Sequence, residues 1–424
     1  MFKRSLFKRF SLLLVLLISI LLLQCSKSPT GNKQDVPDEP IPDLSSVEKR
    51  LIESDNKFGL KLFKEIIREE SDSNVFISPL SVAMALGMTY NGAAGETQEA
   101  MQKTLELEGF TLEEVNQCYQ HLIESLTQLD PKVEFGIANS IWYRENEGRR
   151  VPREEFLSLC DEYYSALVRG LDFYDPSSVD TINMWVEEET NGRIKDLVSK
   201  PINYFTLMFL INAIYFKGTW TYEFDKEETE DAWFYLPDGS RKRCNMMKQR
   251  SLFEYLKNDT FQAIDLPYGD GDFSMTIFLP RWGINLDSLI TELSQDNLNY
   301  WISCFESDSV DLYLPRFKLE WGKTLNDVLS ASGMGVAFTD CADFTKMYEG
   351  DPVWISEVKH KSFIQVNEEG TEAAAATVVE MVESGEPMGL EIMINRPFLF
   401  MIRENLSGTI LFIGKIVDPG FDES

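Results

Sequence analysis

The chain has 424 residues, of which 40 are Lys or Arg and 69 are Asp or Glu, so its formal net charge is −29. A hydrophobic share of 44% is enough for a folded core and excludes a wholly disordered chain. The acidic excess disfavours nucleic acid as a partner, because phosphates are bound through Lys and Arg, and it also disfavours broad electrostatic adhesion to an anionic membrane.

The amino terminus has the pattern of an export signal. Four basic residues precede an apolar run at 12–23, and these twelve residues fall short of the roughly 20 that a membrane-spanning helix requires. Cys25 follows the run and resembles the lipidated cysteine of bacterial lipoproteins, although Gln24 stands where that pattern usually has a small residue. An ordinary secretory peptide, with Cys25 incidental, is the alternative.

These features divide the chain into three regions. We expect a signal peptide at 1–24, a Pro-rich tether at 25–47 and one folded domain at 48–424. Membrane contact would be made only through the lipid on Cys25. The protein would then be a bacterial cell-envelope lipoprotein, in the outer membrane or at the cell surface, or a secreted protein if Cys25 is not lipidated.

No motif for catalysis, a cofactor or a metal ion is found in the sequence. The chain has only two histidines and lacks the hydrolase, zinc-protease, P-loop and dinucleotide signatures. Five cysteines remain after Cys25, without a C-x-x-C pair, which favours buried free thiols over a disulfide framework or a zinc site. They are Cys118, Cys160, Cys244, Cys304 and Cys341. We therefore expect a protein that is not an enzyme and needs no cofactor; a hydrolase is an alternative that turnover of peptide esters would reveal.

The hydrophobic pattern changes from helical to strand-like along the chain. Helical spacing dominates between Glu48 and about Thr190. After Pro201 strand patterns follow, first the nearly all-apolar residues 207–216 and later the alternating residues 310–319. Helices first and strands later, without strict alternation, predict an α+β fold.

One segment, residues 366–386, contains two conflicting patterns. Its alanine run between glutamates favours a helix by propensity. With a period of two, however, one face carries no charge and mostly small side chains. That face consists of Thr371, Ala373, Ala375, Thr377, Val379 and Met381. Such a segment could join a sheet interior without burying a charge, so loop, helix and strand all remain open on these grounds alone.

The same segment resembles the hinge of the reactive-centre loop of inhibitory serpins. The matching residues are Glu368, Glu369, Gly370, Thr371, Glu372, Ala373, Ala374, Ala375, Ala376 and Thr377. Further blocks at 74–97, 212–220 and 395–419 resemble other signatures of that family and follow its order along the chain. The resemblance implies a serpin fold, with three β-sheets, eight or nine helices and an exposed reactive-centre loop.

The resemblance also implies that the chain inhibits a protease as a suicide substrate. The protease would attack the loop and form an acyl-enzyme, and the cut loop would insert into the large sheet as a new strand. Insertion of about 14 residues at about 3.3 Å each would carry the protease roughly 45 Å. The implied partner is an endopeptidase in a covalent 1:1 complex with a monomeric inhibitor. A non-inhibitory serpin that acts as a binding or carrier protein is the alternative, which the small hinge residues disfavour.

The loop limits which protease could be captured. Counting from Gly370 as in typical members places the scissile bond between Ser384 and Gly385, with other bonds within 383–389 as alternatives. No Lys or Arg occurs in residues 362–395, which excludes capture by a trypsin-like enzyme through a basic residue. We expect an elastase-like serine protease or a papain-type cysteine protease as the target.

The resemblance assigns a further set of residues to the control of sheet opening. The matching positions are Ser78, Ser81, Asn212, Trp220, Arg316 and His360. His360 would be the shutter histidine that links the separating strands, and Trp220 would lie under the point of insertion. Arg316 would form an ion pair with Glu368, and such pairs often contribute under about 1 kcal/mol when exposed.

Two charged segments bear on polyanionic partners. Residues 104–131, where some serpins bind heparin through a basic helix, contain six acids and no Lys or Arg, so heparin binding is not expected. Arg241, Lys242 and Arg243 form the centre of the one local basic cluster. Because they follow an Asp-Gly turn, we interpret them as a solvated hairpin edge rather than a binding site.

Overall fold

The computed structural model describes residues 44–145, 151–350, 352–371 and 390–420. The predicted signal peptide, Cys25 and most of the tether lie outside these residues, as does the part of the loop from 372 to 389. The described residues belong to one compact unit that begins at Leu44. No helix among them is long and apolar enough to cross a membrane.

The first helix, α1 (Ser46–Glu69), shows how apolar spacing directs packing. Ser45 caps it, because the Ser45 hydroxyl accepts a hydrogen bond from the Glu48 N–H while the Glu48 carboxylate accepts one from the Ser45 N–H. Phe58 and Leu62, one turn apart, are both buried. The helix therefore begins inside the last residues assigned to the tether and docks through one apolar face.

Eight further α-helices follow among the described residues. They are α2 (Pro79–Asn91), α3 (Gly95–Thr104), α4 (Leu112–Leu126), α5 (Glu154–Tyr164), α6 (Ser177–Glu189), α7 (Leu286–Glu292), α8 (Gln295–Ser303) and α9 (Asn326–Leu329). Most of them precede the longest run of strands, so the predicted α+β fold is confirmed.

Fifteen strands are found in the described residues. They are β1 (Val75–Ile77), β2 (Val133–Arg144), β3 (Leu167–Leu171), β4 (Met208–Thr219), β5 (Glu230–Tyr235), β6 (Arg241–Lys257), β7 (Phe261–Tyr268), β8 (Phe273–Pro280), β9 (Glu306–Pro315), β10 (Phe317–Thr324), β11 (Lys359–Asn367), β12 (Gly370–Thr371), β13 (Leu390–Met393), β14 (Phe398–Glu404) and β15 (Ile410–Ile416). Three of them, β1, β2 and β3, lie in the region where helical spacing dominates, so the description of that region as mainly helical was incomplete.

One sheet has six strands, in the order β10-β11-β12-β4-β2-β3. Its centre is the long antiparallel pair of β2 and β4, which stay in register from Val133↔Gly218 to Tyr143↔Met208. The pair β11 and β4 flanks the two-residue strand β12, which is antiparallel to both. This sheet is the one that contains the hinge.

The other sheet has nine strands, β1-β15-β14-β8-β7-β6-β9-β13, with β5 also paired to β6. The 17-residue strand β6 pairs with β5 and β9 along most of its length and with β7 at its end. Because β6 pairs with β5 and β9 over most of its length and with β7 at its end, two of the three expected sheets are joined into one hydrogen-bonded sheet.

The inner faces of the two sheets pack against each other through aromatic rings. The Phe216 ring of β4 lies 5.8 Å from that of Phe273 on β8 and 6.4 Å from that of Phe412 on β15. Phe76 of β1 stacks on Phe412 at 5.2 Å. The core therefore lies directly beneath the strands that flank the hinge.

Candidate functional site

The hinge begins as a short strand inside the six-stranded sheet. β12 pairs with β4 through Gly370↔Thr219 and with β11 through Thr371↔Val366. In the described part of the chain, β4 and β11 pair with β12 and not with each other. The sheet therefore holds two residues of an additional strand, and beyond Thr371 no described strand lies between β4 and β11.

Gly370 occupies a position that no side chain could share. Its φ of +151° is a conformation that favours glycine. A Cβ atom at this position would lie 2.1 Å from the carbonyl oxygen of Gly218. The close approach of these two backbones lets the chain turn from β11 into the sheet.

Within β12, the side chain that enters the interior is that of Thr371. It is 2% exposed, and its hydroxyl lies 2.6 Å from the hydroxyl of Tyr268. The Tyr268 ring stacks on Trp220 with centroids 4.4 Å apart, and the Trp220 indole N–H donates to the carbonyl oxygen of Asn367 at 3.0 Å. Burial raises the pKa of Tyr268, so its hydroxyl keeps its proton. Trp220 and Tyr268 thus form the floor under the start of β12.

Glu368 lies just before this strand and is buried, with 1% of its surface exposed. Its Oε1 atom accepts hydrogen bonds from the Arg316 Nε at 2.7 Å and from the Thr229 hydroxyl. The Glu368 carbonyl oxygen accepts from the Phe224 N–H at 2.9 Å. Because the carboxylate is out of water, this ion pair differs from the solvated surface pair considered in the sequence analysis.

The next residue, Glu369, remains closer to solvent. Its carboxylate pairs with Lys226, and its carbonyl oxygen accepts from the Trp220 N–H at 2.9 Å. Glu223 lies near enough that burial and the Glu369 charge together raise the pKa of Glu223. Glu368 and Glu369, the first two residues of the hinge, are therefore tied to the turn after β4, through their main chains and side chains.

His360 lies lower in the sheet, on β11, and links it to α2. Its Nε2 atom accepts a hydrogen bond of 3.0 Å from the Ser78 N–H, and the Ser78 hydroxyl donates to the Leu411 carbonyl oxygen at 2.8 Å. Burial lowers the pKa of His360 to about 4, so the ring is neutral near pH 7 and can accept this bond.

Ser81 and Asn212 continue this network across to β4. The Ser81 hydroxyl donates to the Asn212 carbonyl oxygen at 3.3 Å, and the Asn212 amide donates to the Asn139 side chain at 2.8 Å. The Asn212 Oδ1 atom is buried and has no hydrogen-bond partner among the described residues. The structure therefore places His360, Ser78, Ser81 and Asn212 around one gap and leaves an acceptor there unused.

Two cavities follow the line of β12 between β4 and β11. The first has a volume of about 20 Å³ and is lined by residues that include Phe216, Ile364 and Thr371. The second, of about 410 Å³, is lined by residues that include Asn212 and His360. It also reaches Ser81 of α2 and Val186 of α6, which lie on opposite sides of the sheet. The gap between the strands is thus narrow near the hinge and wide farther along.

Several residues predicted for the site lie outside the described part of the chain. They are Cys25, Glu372, Ala373, Ala374, Ala375, Ala376, Thr377, Ser384 and Gly385. Conversely, the structure adds Tyr268, Thr229 and Asn139, which sequence reasoning did not single out. The only signal for Tyr268 was its place at the end of an apolar strand before a Gly-Asp-Gly turn.

The five cysteines after Cys25 are free and take different positions. Cys118, Cys160 and Cys244 are buried, as expected, whereas Cys304 is half-buried and Cys341 is exposed. Burial raises the pKa of the Cys118 thiol to about 11. The described residues contain no group of three or more His, Cys, Asp or Glu placed to hold a metal ion.

Comparison with known proteins extends over nearly the whole described region. A family model described as "Serpin (serine protease inhibitor)" matches residues 53–419. Serpin B13 of Homo sapiens is 34% identical over 386 residues, which cover 86% of this chain and 98% of that protein. The leukocyte elastase inhibitor of Sus scrofa is 35% identical, covering 88% of this chain and 100% of that protein. The crystal structure of human thyroxine-binding globulin superposes with a TM-score of 0.80 at 28% identity, covering 88% of this chain and 100% of that one.

Proposed function

The chain belongs to the serpin family, and from this premise we propose that it is an inhibitory serpin, which traps an endopeptidase as an acyl-enzyme by inserting its cut loop into the six-stranded sheet. Its relatives include a leukocyte elastase inhibitor and a thyroxine-binding globulin, so the family alone leaves both inhibition and ligand binding open. The placement of β12 between β4 and β11 is the observation on which the inhibitory proposal rests.

The two registers of β12 specify where an inserted strand would lie. Continued in the same registers, Thr377 would lie opposite Asn212 of β4 and His360 of β11. The Thr377 hydroxyl would then reach the gap where the buried Asn212 Oδ1 has no described partner. Insertion would therefore close a network that the described strands leave open.

The sizes of the loop side chains match the shape of the gap. By alternation, Ala373 and Ala375 would share the inner face with Thr371. They would face the narrow cavity of about 20 Å³, where larger groups would collide with Phe216. Thr377 and the larger residues Val379 and Met381, farther along the same face, would reach the cavity of about 410 Å³.

Insertion would be driven by backbone hydrogen bonds and apolar burial between β4 and β11, where no described strand lies beyond Thr371. A strand added between β4 and β11 would pair with both, filling a gap along two backbones. The protease acyl-enzyme supplies the covalent link, because the nucleophile stays attached to the carboxyl group of the bait residue. Insertion must be faster than deacylation, so each hinge residue has to enter the sheet with little cost.

We assign the bait bond to Ser384–Gly385 and the target to the elastase-like serine proteases. The proposal rests on the small residue before the bond and on the absence of Lys and Arg from 362–395. A papain-type cysteine protease would meet the same requirement.

The experiment is incubation of the full chain with elastase, trypsin and papain, followed by denaturing electrophoresis and mass spectrometry. We expect a denaturant-stable 1:1 complex with elastase, none with trypsin through this loop, and release of a carboxy-terminal fragment that begins at Gly385. Cleavage without any stable complex, by every enzyme tested, would instead favour a carrier serpin. Turnover of peptide esters by the chain alone would identify a hydrolase.

We also propose that the chain is exported and anchored through a lipid on Cys25. The proposal rests on the basic start, the apolar run and the cysteine that follows it. Metabolic labelling with palmitate should mark the wild-type chain and not the Cys25→Ala variant. Equal labelling of the two would rule out this attachment.

A further inference from the structure

A row of alternating arginines and aromatic rings runs over the surface near the end of the loop. We call it the cation–aromatic ladder, and it consists of Arg243, Trp233, Arg241, Tyr235, Trp282 and Arg396. In the first half, the Arg243 and Arg241 guanidinium carbons lie 4.1 and 4.2 Å from the centroid of the Trp233 ring. Trp233 is the cross-strand partner of Arg243, and Tyr235 is that of Arg241, so all four side chains share one face of the β5–β6 hairpin.

The second half continues from that hairpin to the end of β8. The Tyr235 ring meets the Trp282 ring at 5.2 Å and 83°, and the Arg396 guanidinium carbon lies 4.7 Å from the centroid of Trp282. Trp233 and Trp282 are 36% and 63% exposed. The rings hold the guanidinium groups flat. Arg396 donates its N–H groups to the carbonyl oxygen of Pro280 and to the Asn395 side chain, and Arg243 donates to the carbonyl oxygen of Asp231. Arg241 is exposed, and the described residues give its N–H groups no hydrogen-bond acceptor.

The ladder carries positive charge that this chain does not neutralise locally. Among the described residues, Arg241 and Arg396 form no ion pair, although the chain has 69 acids against 40 bases. Arg243 has only the exposed Asp231, at 3.5 Å. Arg281 lies close to Arg396, and burial together with that like charge lowers the pKa of Arg396 to about 10.

The position of the ladder connects it to the bait loop. The Tyr235 N–H donates to the carbonyl oxygen of Asn395 at 2.8 Å, and Asn395 follows β13 by two residues. β13 is the strand in which the chain returns from the loop, and it pairs with β9 of the same sheet as the hairpin. Leu390, the first residue of β13, lies level with Ser251 of β6, eight residues from Arg243, so roughly 26 Å of strand separates the start of β13 from the ladder. A protease is about 45 Å across, so one held by the loop could reach this face.

We propose that the cation–aromatic ladder is a second docking surface, which binds an acidic segment on the surface of the target protease. The proposal rests on the inhibitory function proposed above. The Arg241 guanidinium, stacked on Trp233, presents paired N–H donors that match a carboxylate, and the exposed tryptophans provide apolar contact beside it. An extended polyanion would be repelled by the net charge of −29, whereas a protease held by the loop brings its own acids at high local concentration.

The test measures the association rate constant with the most rapidly captured protease for the wild type and for the Arg241→Glu and Trp282→Ala variants. Lys257→Glu is the control, since Lys257 is exposed at the far end of the same strand. We expect Arg241→Glu to slow association ~5–10-fold at low salt, with the difference shrinking at about 0.5 M NaCl. Stoichiometry and the final covalent complex should be unchanged. Equal rates for Arg241→Glu and Lys257→Glu would overturn the proposal.

A direct binding measurement separates failure of the ladder from failure of the inhibitory function. The probe is a fluorescein-labelled Glu-Glu-Tyr-Glu-Glu-Tyr peptide, followed by anisotropy with the full chain. Binding by the wild type and by Lys257→Glu, but not by Arg241→Glu, supports an acidic-protein surface even if no protease is captured. Dextran sulfate is the second probe. The proposal would be overturned if no variant bound the peptide. It would also be overturned, in favour of a polysaccharide site, if the chain bound dextran sulfate through Arg241 but did not bind the peptide.

Discussion

The hydroxyl groups of Tyr268 and Thr371 lie 2.6 Å apart although the two residues are 103 positions apart in the chain. This contact places the hinge side chain over the ring stack of Tyr268 and Trp220. Since Thr371 is 2% exposed, this hinge side chain already lies within the sheet before any cleavage. The properties of this one side chain should therefore determine whether the rest of the loop can follow.

Replacing Thr371 by Arg should convert the inhibitor into a substrate. The guanidinium group would have to be buried against Tyr268. Because burying an unpaired charge is costly, loop insertion should become slower than deacylation of the acyl-enzyme. We expect the fraction of protease captured in a denaturant-stable complex to fall by at least about tenfold, while cleavage of the loop continues. The measurement is the stoichiometry of inhibition with elastase.

Thr127→Arg is the matched control for this variant, because Thr127 is exposed at the end of α4. It should inhibit like the wild type. If Thr371→Arg captured protease as efficiently as Thr127→Arg, the hinge would not enter the sheet during inhibition.

Replacing Arg316 by Gln should destabilise the native protein more than loss of a surface ion pair. The variant leaves the Glu368 carboxylate, which is 1% exposed, without its counter-charge. We expect a loss of roughly 2–4 kcal/mol in the free energy of unfolding, measured with urea. Lys61→Gln breaks the exposed pair with Glu106 and should cost under about 1 kcal/mol. Equal losses in the two variants would show that the Glu368 pair behaves as a surface pair.

His360 should make the sheet less stable as the pH falls. Burial lowers the pKa of His360 from 6.5 to about 4, so the neutral ring contributes stability above 6.5 that is lost as the pH falls toward 4. The contribution is on the order of 3 kcal/mol, and protonation would remove the acceptor of the Ser78 N–H. Urea unfolding should show a smaller acid-induced loss for His360→Gln than for the wild type. His121→Gln, which removes the other histidine, should leave the contribution of His360 to this loss in place.

Asp55 should make the folded protein more stable as the pH falls, which is opposite to the effect of His360. Burial raises its pKa from 3.8 to about 7, so the folded state binds a proton more tightly than the unfolded state and gains stability as the pH falls between these values. The Tyr119 hydroxyl donates to Oδ1 at 2.8 Å, while the buried Oδ2 has no described partner. Asp55→Asn should therefore be more stable than the wild type by a few kcal/mol at about pH 8, and by less at about pH 5. A difference independent of pH would contradict this assignment.

Part of this site could be predicted from local patterns. Alternation in 371–381 identified an uncharged face, and the first residue of that face, Thr371, is buried inside the sheet. Gly370 belongs to the hinge pattern of the family, and its φ of +151° requires the conformational freedom of glycine. Such features depend on residues that are close together in the chain, so a local sequence pattern can predict them.

Other parts could not be predicted because they depend on contacts between distant segments. The family resemblance predicts the pair of Glu368 with Arg316, but the burial of Glu368 and its contact with Thr229, 139 positions away, are revealed by no local pattern. β2 was not predicted because helical spacing dominates the region of the chain that contains it. Its first residues nevertheless alternate as in a half-buried strand, since Val133 and Phe135 are buried and Glu134 between them is exposed. The burial of Asp55 could have been predicted from its spacing, because it lies three positions from both Ile52 and Phe58, on the apolar face of α1.

The melting temperature before and after cleavage of the loop tests the central claim most directly. The chain is cut between 383 and 389 by a catalytic amount of a protease that cleaves the loop without being captured, and both forms are heated under the same conditions. If the loop inserts between β4 and β11, the added strand and the filled cavity of about 410 Å³ should raise the melting temperature of the cut form by tens of degrees. An unchanged melting temperature after complete cleavage would contradict loop insertion and would favour a carrier protein.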